Sequence, residues 1–61
     1  MNEFKCGDEV LFTNEEEGYQ QIGTVEKIYT NREYGIRVYQ KNDVYGDLVV
    51  GHENTMRICF L

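Results

Sequence analysis

Hydrophobic and polar residues alternate along much of this chain with the period of two that β-strands show. Residues 34–40 show the alternation most clearly, because Tyr34, Ile36 and Val38 fall on one face. Glycine, asparagine and charged residues separate the alternating segments, as is typical of turns. The segments predicted as strands are residues 9–13, 22–29, 34–40, 48–51 and 56–60, with one turn of 3₁₀ helix over residues 52–55.

One spacing in the second predicted strand breaks the alternation. Val25 and Ile28 are three positions apart, and a flat strand places such residues on opposite faces. If both face the core, Val25 pairs with Val38 and Ile28 with Ile36. Glu26 and Lys27 then together face Arg37. That arrangement is a β-bulge, which bends a strand and helps a short sheet to curl. The alternative is that one of the two apolar residues is exposed.

The inward positions of these strands predict a small core. A chain of 61 residues buries only about 60% of its unfolded surface. We therefore expect one domain over residues 1–61, with no room for an internal active-site cavity. The predicted core residues are Val10, Phe12, Val25, Ile28, Ile36, Val38, Leu48, Val50, Met56 and Ile58, with Phe4 and Cys6 at one edge.

Two glycine-led segments resemble a known family. They are residues 7–10 (Gly-Asp-Glu-Val) and residues 23–28 (Gly-Thr-Val-Glu-Lys-Ile), followed by the alternating strand. This order resembles the opening of KOW-type SH3-like barrels, and residues 52–56 resemble the 3₁₀ turn that such barrels place before their final strand. The resemblance implies an all-β fold of five short antiparallel strands closed as an SH3-like barrel. It implies no single function, because this fold hosts RNA-binding, protein-binding and peptide-binding members.

Charge is distributed unevenly along the chain. The net charge is −5, and residues 1–17 account for all of it with six acids against Lys5, whereas the remaining residues carry five acids and five bases. An acidic field repels phosphate backbones and slows encounter with nucleic acid. The run Glu15, Glu16 and Glu17 is interpreted as a solvated loop, a docking patch for a basic partner, or a mimic of nucleic-acid charge.

A second candidate surface combines tyrosines with basic residues on the outer face of the second and third predicted strands. Its residues are Lys27, Tyr29, Arg37 and Tyr39, with Arg32 on the connecting turn. Aromatic groups beside cations suit single-stranded nucleic acid, where each stacked base contributes about 1–3 kcal/mol. The same set suits a protein partner, because Tyr and Arg are frequent anchors of interfaces. A third interpretation is that the tyrosines only stabilise the sheet through cross-strand pairs.

The sequence offers little for catalysis or metal binding. It contains no serine and one histidine, and no nucleophile elbow, zincin motif or phosphate loop. Cys6, Cys59 and His52 are irregularly spaced and include no Cys-x-x-Cys pair, so we expect no metal and no cofactor. We interpret Cys6 as a core cysteine. In SH3-like barrels the first and last strands are neighbours, which implies that the two cysteines lie in the same region.

We therefore expect a small non-enzymatic binding or adaptor module that contacts a protein partner through the acidic loop or the Tyr/Arg face. The alternative is a KOW-like domain that binds RNA or single-stranded nucleic acid. No apolar run is long enough to span a bilayer, and residues 1–8 lack the layout of a signal peptide. These features predict no membrane partner, a cytoplasmic location and reduced cysteines. The richness in Asn, Lys, Glu, Ile and Tyr is typical of an AT-rich genome, such as that of a low-GC bacterium or its phage.

Overall fold

The computed structural model describes residues 3–39 and 44–59. Its secondary structure consists of β1 (Glu9–Asn14), β2 (Tyr19–Ile28), β3 (Glu33–Val38), β4 (Asp47–His52), a 3₁₀ turn (Glu53–Thr55) and β5 (Arg57–Ile58). The predicted all-β composition, the five strands and the 3₁₀ turn before the last strand are confirmed. The last strand is shorter than the predicted residues 56–60, of which residue 60 lies outside the described residues.

The five strands form one antiparallel sheet in the order β4-β3-β2-β1-β5. The sheet curls, so that β1 approaches β4 although the two strands do not pair. Within the described residues no ladder joins β4 to β5, and the sheet therefore stays open on this side. We call the gap between β4 and the end of β1 the open seam.

The bend in β2 comes from a β-bulge at Glu26. The register shifts between Val25 and Lys27, so Glu26 is the extra residue, and Val25 pairs with Ile36. The predicted bulge is confirmed, but the predicted register, which placed Val25 opposite Val38, is wrong by two residues. A shift of two keeps every side chain on its face, so the apolar pattern did not distinguish the two registers.

The core lies on the inner face of the curled sheet and includes a fully buried tyrosine. Tyr34 packs edge to face against Phe4, with ring centroids 5.4 Å apart. The sequence had placed Tyr34 on the inward face without counting it in the core. The buried hydrophobic residues are Phe4, Val10, Phe12, Val25, Tyr34, Ile36, Val38 and Met56, with Val49 packed against them.

The predicted faces of β4 are wrong by one residue. Val49 pairs with Ile36 and faces inward, whereas Leu48 is only half-buried and Val50 is 47% exposed. Residues 48–50 are all apolar, so alternation does not show which of them face the core. Gly51 sets the phase of β4, because a Cβ at this buried position would clash with the Ile36 side chain. A slip of one residue exchanges the two faces of the strand.

Three other predicted core residues lie outside the core. Ile28 and Ile58 are exposed, because each is the last residue of its strand and lies beyond the covered part of the sheet. Cys6 is exposed as well. It lies in a turn closed by the hydrogen bond from the Asp8 N–H to the Lys5 carbonyl at 3.0 Å, and its thiol contacts the Glu26 carbonyl at the bulge rather than the core residues.

Candidate functional site

The outer face of β2 and β3 is centred on an ion pair. The bulge brings Glu26 to the outer face beside Arg37, and the guanidinium donates to both carboxylate oxygens. The Nε–Oε2 distance is 2.6 Å and the Nη2–Oε1 distance is 3.0 Å. Paired hydrogen bonds of this kind fix the geometry of both side chains. Arg37, a predicted site residue, is therefore held by an acid of its own chain.

The ion pair also affects the ionisation of both groups. The hydrogen bond from Arg37 lowers the pKa of Glu26 below its ordinary value of 4.5, partial desolvation opposes this effect, and the charges of Arg37 and Lys27 add to it. The same hydrogen bond raises the pKa of Arg37. Both groups remain charged at neutral pH and largely neutralise one another.

The two candidate tyrosines lie against glycines, Gly35 in β3 and Gly46 just before β4. A Cβ added to Gly35 would lie 2.9 Å from the Tyr29 hydroxyl oxygen and 3.1 Å from the Lys27 Cβ. A Cβ added to Gly46 would lie 2.9 Å from the Tyr39 ring. Glycine thus allows each ring to approach the backbone, as in the aromatic cover of glycines in other sheets. Both rings remain at least half exposed.

The predicted Tyr/Arg surface is divided between two places. Lys27 and Tyr29 meet over Gly35, whereas Arg32 lies in the β2–β3 turn and lines a separate cavity of about 540 Å³ with Glu53 and His52. The backbone explains this position, because the Arg32 carbonyl accepts the Glu53 N–H at 2.8 Å. This hydrogen bond joins the β2–β3 turn to the 3₁₀ turn, so Arg32 lies away from the outer face of the sheet.

The Asn14 side chain fixes the turn between β1 and β2, residues 15–18, which we call the acidic turn because it carries three glutamates. This buried side chain accepts the backbone N–H groups of Glu16 and Glu17 at its Oδ1, at 3.1 and 3.3 Å. Its Nδ2 donates to the Gln21 Oε1 at 2.7 Å. Asn14 is not among the predicted site residues, although an asparagine that begins a polar turn often bonds to the backbone two residues later.

His52 connects the acidic turn to β4 and β3. Its Nε2 lies 3.9 Å from the Glu15 Oε2, and its Nδ1 lies 4.0 Å from the Glu33 Oε2. The acidic turn and β4 also line a common groove of about 220 Å³ along the open seam. The groove is lined by Asn14, Glu15, Glu16, Leu48, Val49, Val50 and His52. Two of the three predicted acidic residues thus lie beside an edge strand.

The Cys6 thiol and the His52 ring lie in separate places. Within residues 3–39 and 44–59, no three His, Cys, Asp or Glu side chains are grouped as a metal site. The Cys6 thiol donates to the Glu26 carbonyl at 3.3 Å, whereas His52 faces two carboxylates. Cys6 and Cys59 are free cysteines, and β1 and β5 pair as the resemblance implied. Within the same residues no helix has the length and apolar character needed to cross a membrane.

Comparisons of the chain with protein-family models, curated proteins and solved structures found no match. The fold and the surface define a class, a five-stranded antiparallel all-β protein with a bulged outer face and an acidic turn beside an open sheet edge.

Proposed function

We propose that this chain is a small non-enzymatic binding module that contacts a protein partner. The outer face of the sheet carries this proposal, because exposed apolar and aromatic side chains surround a neutralised ion pair. Those side chains are Ile22, Tyr29, Tyr39 and Val50. The buried centres of protein interfaces are enriched in aromatic residues and depleted of charged residues. The exposed tyrosines and the paired Glu26 and Arg37 of this face fit that composition, whereas Lys27 is a charge that a partner would leave at the rim.

The proposal includes an SH3-like arrangement of the strands. The strand order, the bend at Glu26 and the 3₁₀ turn before β5 support it. In this arrangement the sheet curls around the core and leaves its outer face for a partner.

A second candidate function is binding of RNA or single-stranded nucleic acid. It is favoured by Lys27 beside the exposed Tyr29 ring, a cation next to a stacking surface. The Glu26–Arg37 ion pair and the net charge of −5 weigh against it, because a guanidinium held by a carboxylate is not available to a phosphate. Protein binding is therefore the preferred function.

Affinity capture from a lysate of the native host, with and without nuclease, distinguishes the two functions. Protein binding predicts that one partner is captured in both conditions and that Tyr29→Ala and Tyr39→Ala abolish its capture. Tyr19→Ala is the matched control, because this exposed tyrosine lies at the far end of β2. Nucleic-acid binding predicts that nuclease removes the signal and that affinity for RNA falls steeply with salt.

A further inference from the structure

The edge strand β4 exposes backbone groups at the open seam. Glu53 donates its N–H to the Arg32 carbonyl, which continues the β3–β4 ladder. Hydrogen-bonded and non-hydrogen-bonded pairs alternate in an antiparallel ladder. By this alternation Val49 bonds to β3, whereas Leu48 and Val50 direct their N–H and C=O groups away from it. These four groups form a short template for another strand.

The template is not protected in the usual ways. In the described part of the chain no backbone hydrogen bond beyond the ladder reaches Leu48 or Val50. Residues 47–52 contain neither lysine nor proline, which commonly prevent pairing at sheet edges. β4 has six residues, whereas β5, the strand at the other edge of the sheet, has two. Its edge is therefore open to strand addition.

The charges at the seam restrict the kind of strand that fits. Glu15 and Glu16 line the groove with β4, and His52 lies between Glu15 and Glu33. Among residues 3–39 and 44–59, no lysine or arginine lines this groove. A second copy that paired through its own β4 would bring an identical acidic turn to the same place, which like-charge repulsion disfavours. A lysine- or arginine-rich strand complements the seam.

We infer that the open seam binds an extended basic segment of a protein partner, which adds as a strand to β4 with its basic side chains facing Glu15 and Glu16. This inference rests on the proposed protein-binding function and names the chemistry of the partner. Main-chain hydrogen bonds to Leu48 and Val50 supply affinity, and the acidic turn supplies selectivity for charge.

Amide hydrogen exchange measured by NMR tests the pairing. The probe is a synthetic heptapeptide of alternating lysine and valine with blocked termini. At saturation we expect the Leu48 and Val50 amides to exchange at least about tenfold more slowly than in the free protein, because they become hydrogen-bonded. The Val49 amide, bonded to β3 in both states, serves as the internal reference. Unchanged exchange at Leu48 and Val50 overturns the inference.

Two control peptides separate charge from backbone pairing. A peptide with glutamate in place of lysine keeps the strand pattern, and a fully N-methylated peptide keeps the charges but loses its backbone donors. We expect each to bind at least about tenfold more weakly than the probe. Equal binding of either peptide overturns the inference.

Substitutions in the acidic turn offer a matched comparison. The double variant Glu15→Lys, Glu16→Lys reverses both charges at the groove, and we expect it to weaken binding of the probe about tenfold or more. Glu17→Lys is the control, because Glu17 belongs to the same turn but does not line the groove. An equal loss in the control contradicts a specific contact at the seam. Thermal unfolding confirms that all variants are folded.

Two further results distinguish this inference from the proposed function. If Tyr29→Ala abolishes capture of the native partner but the double variant of the acidic turn retains it, the module binds protein and the inference about the seam is overturned. If neither variant affects capture, both proposals fail. Sedimentation that shows a concentration-dependent dimer, with slow exchange at Leu48 and Val50 without peptide, assigns the edge to a second copy and also overturns the inference.

Discussion

Glu26 binds the Arg37 guanidinium with both carboxylate oxygens, although the strand register pairs Arg37 with Thr24. The bulge makes this diagonal contact possible, because the extra residue in β2 turns the Glu26 side chain toward β3. One local irregularity thus bends the strand and neutralises the cation nearest the centre of the outer face.

The lowered pKa of Glu26 predicts a pH-dependent contribution to stability. Because the pKa in the folded state lies below its ordinary value of 4.5, the stabilisation is fully present above that pH. It is lost as the pH falls through the lowered folded-state pKa, when the carboxylate binds a proton. Urea unfolding between pH 7 and pH 3 should show Glu26→Gln less stable than the wild type near neutrality, with the difference decreasing in acid.

A double-mutant cycle provides the control for this pH dependence. In an Arg37→Gln background the hydrogen-bond partner of Glu26 is missing and only the smaller effect of the Lys27 charge remains, so Glu26→Gln should change the pH profile much less. A difference between wild type and Glu26→Gln that persists unchanged to pH 3 contradicts the assignment.

Sequence patterns predicted the strands and the bend, but not the register or the phase of β4. The spacing of Val25 and Ile28 led to the bulge at Glu26, even though Ile28 itself is exposed at the end of β2. The phase of β4 depends on the space left beside Gly51, which is a tertiary property. The open seam was not predictable for the same reason, since it arises where β1 and β4 approach without pairing.

Gly23→Ala should lower the free energy of unfolding more than Gly35→Ala does. A Cβ at Gly23 would lie 2.6 Å from the Ile36 Cγ2 and 2.7 Å from the Arg37 carbonyl oxygen, so β2 and β3 would have to separate. Overpacking of this kind costs about 1–3 kcal/mol, and backbone contact places this site at about 3 kcal/mol. Urea unfolding measures the loss.

Gly35→Ala is the matched control for Gly23→Ala. Its closest neighbours are the Tyr29 hydroxyl and ring, which can move into solvent, and the Lys27 Cβ at 3.1 Å, which the backbone holds in place. We expect a smaller loss in the free energy of unfolding than for Gly23→Ala, about 1 kcal/mol, because the side chain of Tyr29 can yield whereas the backbone at Gly23 cannot. Equal destabilisation by the two substitutions is incompatible with the close approach at Gly23.

Asn14→Ala should loosen the acidic turn. The variant removes the acceptor of the Glu16 and Glu17 amides and the donor to Gln21. Leaving buried groups unpaired costs about 1–3 kcal/mol. We expect a corresponding loss of stability and faster amide exchange at Glu16 and Glu17. Asn14→Asp keeps the oxygen acceptor and should retain most of the protection, whereas unchanged exchange in Asn14→Ala rules out this role for the side chain.

The two cysteines should differ in their reactivity toward an alkylating reagent. Cys6 is exposed in the turn before β1, whereas Cys59 is partly buried and its N–H donates to the Glu9 carbonyl at 2.8 Å. Exposure controls access of the reagent to the sulfur, so mass spectrometry of the native protein should find the first label on Cys6. In Cys6→Ser only Cys59 remains, and we expect it to be alkylated slowly. Denatured, unreduced protein should give two free thiols, and a count of zero contradicts the expectation that both are reduced.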